Sequence, residues 1–125
     1  MIIFIFGNQD LPQDSLPLKL LPALRKGFPK INFLIKDPNE EWETPDDITV
    51  IDTVVGIDKV QVFTDLKTFV SAPRVTLHDF DALTNLKYLQ KIGKLKKIKI
   101  IGIPPSLDEG KALNEVASIL RASLP

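Results

Sequence analysis

Three residues of this chain, Asp14, Asp52 and His78, combine type and position in a way that suits metal-assisted or acid–base chemistry. Two carboxylates and one imidazole can hold a divalent cation and leave coordination positions vacant, which a catalytic metal site needs. Each also has a plainer role. Asp14, followed by Ser15, suits a helix N-cap, and a lone histidine is more often structural than a ligand. Asp52 fits a plain role least well, because it closes the run Thr49-Val50-Ile51, where a buried charge needs a partner. The chain has no cysteine, which excludes a thiol nucleophile, a disulfide frame and a thiolate metal site. No nucleophile-elbow pattern supports a Ser-His-Asp triad, and Gly7-Asn8 is followed by neither GxGxxG nor a P-loop.

The elements that would position these residues follow from apolar spacing. Ile2–Phe6 is a continuous apolar run ended by Gly7-Asn8, the pattern of a strand buried on both faces of a parallel sheet. Asp14-Ser15 then caps a helix with Pro17 in its first turn and Leu16, Leu20, Leu21, Leu24 and Phe28 on one face. Pro22 inside this pattern predicts a kink or a split, and Gly27 and Pro29 end it. Ile31–Lys36, Asp47–Val54 and Lys59–Thr64 read as strands, the last two as an antiparallel hairpin at the sheet edge around Gly56-Ile57-Asp58. Lys67–Leu77 suits a short strand or an irregular excursion leading to His78. Asp79 or Asp81 caps a helix with Leu83, Leu86, Leu89 (or Gln90) and Ile92 on one face, ended by Gly93. Lys97–Ile103 is the last strand. Ser106–Glu109 reads as a capping box for a final helix with the stripe Leu113, Val116, Ala117 and Leu120. At 125 residues the whole is one domain, an α/β fold: a three-layer α/β/α sandwich around a mostly parallel, mixed central sheet. Asp14, Asp52 and His78 then fall at or just after carboxyl ends of strands, where open α/β sheets bind ligands.

The segment FGNQDLPQDSLPLKLLPAL resembles the opening motif of the hydrogenase maturation endopeptidases, in which a first strand ends in Gly-Asn and two acidic residues follow. The second acid, a metal ligand in that family, falls on Asp14, while the first is replaced by Gln13. VIDTVVG resembles the family's strand ending in Asp-Ala, with Asp52 as ligand and Thr53 in place of the small residue. VTLHDFDAL resembles the Ser/Thr-x-His-Asp segment, with His78 as ligand, and IIGIPPSLDEG resembles a later strand and its proline turn. The resemblance implies an endopeptidase that removes the C-terminal extension from the large-subunit precursor of nickel-iron hydrogenase. Asp14, Asp52 and His78 would contact nickel already carried by the substrate. Such a metal can polarise the scissile carbonyl or activate water, while a carboxylate handles protons. The family's glycines after the second acid are replaced by Ser15-Leu16-Pro17, and the chain is shorter between Ile31 and Asp47. Gln13 and the missing glycines motivate an alternative, a non-catalytic α/β binding module that keeps the fold. A flavodoxin-like nucleotide-binding domain ranks last, without a phosphate-loop signature.

The remaining features set boundaries. Formal net charge is zero, which gives no electrostatic case for nucleic acid or an anionic membrane. Lys91, Lys94, Lys96, Lys97 and Lys99 are interleaved with apolar residues, as expected of a solvated helix end and strand edge. The apolar start is too short for a signal peptide or a membrane span, so a cytoplasmic location is the default expectation, and the partner expected is a substrate and not a second copy of the chain. Trp42, in the acidic stretch, reads as a loop anchor ahead of the alternative, a partner contact.

Overall fold

The computed structural model describes residues 2–7, 10, 15–36, 47–54, 56–64 and 97–123. Asp14, His78, Trp42, Lys67–Leu77 and the helix expected over Leu83–Ile92 lie outside them.

The elements run β1 (Ile2–Ile5), α1 (Leu16–Gly27), β2 (Asn32–Ile35), β3 (Asp47–Thr53), β4 (Gln61–Phe63), β5 (Lys97–Ile103) and α2 (Glu109–Ser123). The five strands form one sheet in the order β2-β1-β3-β5-β4. The pairings β1–β2, β1–β3 and β3–β5 are parallel, and β4 lies antiparallel to β5. The mostly parallel, mixed sheet read from the sequence is therefore the sheet observed.

Alternation along the central strands builds two cores. Ile3, Ile5, Ile51, Ile101 and Ile103 face α1 and α2, which contribute Leu20, Leu24, Val116 and Leu120. The opposite face carries Phe4, Phe6, Ile48, Val50, Val54, Ile98 and Ile100, joined by Phe63 of β4. Both faces are buried, as continuous apolar runs require. The described helices form one outer layer, and α1 also packs against α2. The other outer layer of the expected sandwich lies outside the described residues.

Three local expectations are corrected. β4 does sit at an edge and is antiparallel, but it pairs with β5 rather than forming a hairpin with β3. β3 needs apolar neighbours on both sides and takes β1 and β5. Residues 54–60 are long enough to carry the chain past β5, turning at Gly56, whose φ of 95° disfavours side chains. Secondly, of the kink or split expected at Pro22 the split is absent, and α1 runs unbroken from Leu16 to Gly27. The Pro22 ring lies on the exposed side, where water can satisfy the carbonyl that loses its helical donor. Thirdly, α2 is capped by Asp108 and not by a box from Ser106. Asp108 Oδ2 accepts from the Lys111 N–H at 3.0 Å, and its carbonyl accepts from the Ala112 N–H at 2.8 Å. The buried stripe of α2 is Ala112, Val116, Ala117 and Leu120, with Leu113 half-buried beside it.

Gly102 interrupts the apolar run of β5 because two neighbours occupy the space of its side chain. A Cβ there would lie 2.8 Å from Val54 Cγ2 and 3.0 Å from Phe63 Cε2. Gly102→Ala is expected to cost about 1–3 kcal/mol, by forcing Val54 and Phe63 outward. In urea denaturation, the double variant with Val54→Ala should lose less than the two single losses added. Strict additivity would show that the two positions do not compete for space. Asp108→Ala is expected to cost about 1 kcal/mol, and Ser106→Ala close to nothing, in the same assay. The reverse order would restore the Ser106 cap.

Candidate functional site at the β1–β3 opening

The site is built by the mismatch between two strand ladders. Registered pairing of β1 with β3 ends at Ile5 and Ile51, whereas pairing of β3 with β5 continues to Thr53 and Ile103. Past Ile51 the hydrogen bond from Phe6 N–H to the Ile51 carbonyl, 3.0 Å, closes the β1 side. On the β5 side, Val54 N–H still donates to the Ile103 carbonyl at 2.9 Å. Asp52 is the first residue of β3 beyond the last registered pair with β1.

This opening is a topological switch point. The chain leaves β1 through α1 to reach β2 on one side, then returns to β3 on the other. The connections diverge there, and at such a point open α/β sheets bind ligands outside the carboxyl ends of their strands. α1 starts on the chain that leaves β1, with Ser15 at its N-cap position; the Ser15 side chain makes no capping bond and is buried.

Asp52 is 2% exposed and pairs in register with Gly102. Its Oδ1 accepts from the Thr53 N–H at 2.9 Å. By alternation, the Thr53 N–H is on the β1 side of the strand, so the carboxylate uses a donor at the point where the β1 ladder stops. This holds one carboxylate oxygen in place, and the absent side chain of Gly102 lets Val54 and Phe63 close in beside it. A carboxylate fixed by a backbone N–H in apolar surroundings can ligate a cation or accept a proton.

Of the three residues singled out from the sequence, Asp52 is thus placed at the switch point. Asp14 immediately precedes Ser15, and both Asp14 and His78 lie outside the described residues. Among the described residues, no group of three His, Cys, Asp or Glu side chains comes together. The sequence reading missed Gly102 as the neighbour of Asp52; a single glycine inside KIKIIGI was the available signal.

The class defined by this arrangement is an open α/β fold with a topological switch point between β1 and β3. More particularly, it is the fold of known hydrogenase maturation endopeptidases. The chain is similar to the hydrogenase maturating endopeptidase HybD from E. coli, with 17% identity, a TM-score of 0.69, and 98% of this chain and 93% of that one covered. It is also similar to an endopeptidase from Escherichia coli, with 18% identity, a TM-score of 0.65 and coverage of 98% and 94%. A hydrogenase 2 maturation peptidase from a Thaumarchaeota archaeon matches with 16% identity, a TM-score of 0.52 and coverage of 98% and 95%. No protein-family model matches the chain, and no curated protein matches it.

The Thr53–Asp52 bond can be tested directly. Asp52→Ala is expected to lose about 1–3 kcal/mol, because the buried Thr53 N–H loses this acceptor. Asp52→Asn keeps Oδ1 and should lose clearly less, as read from urea midpoints. Equal losses would show that the bond contributes nothing to stability.

Proposed function

We propose that this chain is a maturation endopeptidase that removes the C-terminal extension of a nickel-iron hydrogenase large-subunit precursor. The observation that carries this reading is Asp52, a buried carboxylate at the β1–β3 switch point of a fold shared with hydrogenase maturation endopeptidases. The four short motifs, in their order along the chain, add to it. In this reading Asp14, Asp52 and His78 are the ligands and catalytic residues. The nickel they contact belongs to the substrate, which brings its own partly coordinated metal to the switch point.

The chemistry follows from that arrangement. Nickel at the scissile peptide can polarise its carbonyl or activate a water molecule. Asp52, held through Oδ1, contributes a carboxylate whose position does not have to be organised during the reaction. The enzyme works as a cytoplasmic monomer on one protein substrate.

One observation favours a second reading, a binding module that retains the fold without cleavage. Ser15, Leu16 and Pro17, which stand where the family has glycines, are all buried, so the start of α1 is packed into the core. That packing restricts the backbone freedom glycine would give beside Asp14.

Incubation with a nickel-loaded large-subunit precursor separates the readings. The wild-type chain is expected to cleave it, and Asp52→Asn to lose activity by about 100-fold or more. A wild-type chain that binds the precursor and leaves it intact establishes the binding module. Cleavage by Asp52→Asn at the wild-type rate removes Asp52 from the chemistry.

A further inference from the structure

Asp52 and Gly102 are registered partners in the parallel pair β3–β5, so position 102 is the lateral neighbour of Asp52 on the same face of the sheet. No side chain stands there. The space is taken by Val54, two residues beyond Asp52, and by Phe63 of the edge strand β4. A Cβ at 102 would meet Val54 Cγ2 at 2.8 Å and Phe63 Cε2 at 3.0 Å. Both residues are buried, Val54 completely.

Val54 also adjoins the group that fixes the carboxylate. Its N–H donates to the Ile103 carbonyl at 2.9 Å, and the residue before it, Thr53, donates its own N–H to Asp52 Oδ1 at 2.9 Å. Registered pairing with β1 has ended at Ile51, so from Asp52 onward the register of β3 is set by β5. Carbon atoms in contact lie about 3.5–4.0 Å apart, so a Cβ at 102 would have to displace Val54 by about 0.7 Å. Valine has few rotamers, and a buried one has little room to turn, so part of that shift passes into its backbone. A hydrogen bond of 2.9 Å tolerates only about 0.3 Å of lengthening before it leaves the normal range. The bond to Oδ1, one peptide away, has the smaller margin.

We propose that Gly102 is a positioning residue for Asp52: its missing side chain gives Val54 the seat beside β5 that keeps the Thr53 N–H on the carboxylate. This deepens the endopeptidase reading and rests on it, since Asp52 is catalytic only there. Gly102 touches neither substrate nor metal and acts through packing alone. A carboxylate moved off its preorganised position leaves binding of the precursor as it was and slows the reaction. A glycine that merely relieves a crowded core would govern stability and nothing else.

Two measurements on the full chain test this. In native-state hydrogen exchange, Gly102→Ala should speed exchange of the Thr53 amide about tenfold more than that of Ile51 and Ile101, which report global unfolding. With the nickel-loaded precursor, the same variant should lose about tenfold in kcat while KM stays within about twofold of wild type. Adding Val54→Ala should reverse most of both effects, because the crowded methyl groups are gone. Equal speeding of all three amides would overturn the proposal, and so would a wild-type kcat in folded Gly102→Ala or a double variant no better than the single. Should Gly102→Ala not fold, the double variant is compared with Val54→Ala. Equal exchange at Thr53 then supports the crowding, and faster exchange in the double variant overturns it. A wild-type chain that leaves the precursor uncleaved overturns the endopeptidase reading, while exchange at Thr53 still decides whether Gly102 holds the carboxylate in place.

Discussion

Burial of β1, β3 and β5 on both faces is the constraint on which the rest of the structure depends. A strand with no solvent face must satisfy its backbone through its lateral neighbours and must exclude charge from its side chains. Ile3 to Phe6, Ile48 to Ile51 and Ile98 to Ile101 meet that condition, apart from the polar positions Thr49 and Lys99. Lys99 reaches out along α2 to Ser123 Oγ at 2.6 Å, and Ser123 Oγ in turn donates to the Ile119 carbonyl. Asp52 meets the condition differently. It stands where the β1 ladder has ended and a backbone donor is available, so the sheet tolerates a carboxylate there that it would not tolerate two residues earlier.

The two faces of the sheet do different work. The face toward α1 and α2 is assembled from aliphatic stripes of ordinary helical spacing, tied by contacts such as Arg25 to the Phe33 carbonyl. The other face is more aromatic and carries Asp52 at its carboxyl end. Gly102 links packing to chemistry, since Val54 and Phe63 take the space beside Asp52 only because β5 has no side chain there. Glu115 of α2 accepts from the Val60 N–H at 3.3 Å and so ties the approach to β4 to the helical layer.

Sequence identities of 16–18% with proteins of the same fold show how little of that fold depends on particular residues. Apolar runs of the right length and spacing suffice for the elements and their layers. Function rests on fewer positions. A shared fold carries many activities, so the weight falls on Asp52 and its surroundings and not on topology alone. The buried Ser15-Leu16-Pro17 segment shows this chain building the start of α1 into its core where the family motif has glycine.

The amino-acid sequence by itself determined the strands and the two described helices, because period-two and period-3.6 apolar patterns are local properties. The bounds of β5 and the end of α1 at Gly27 could be read directly, and so could the oddity of a charge closing β3. Strand neighbours could not. A short turn after β3 suggested a hairpin, yet the edge strand belongs to β5, because lateral pairing depends on which apolar runs can share two buried faces. The cap of α2 was misplaced by two residues, since Ser106 and Asp108 both suit the role and only the path of the proline turn selects one. The pairing of Asp52 with Gly102, just past the end of the β1 ladder, has no sequence signature at all, because it joins β3 to a strand about fifty residues away and only the register of the folded sheet brings the two together.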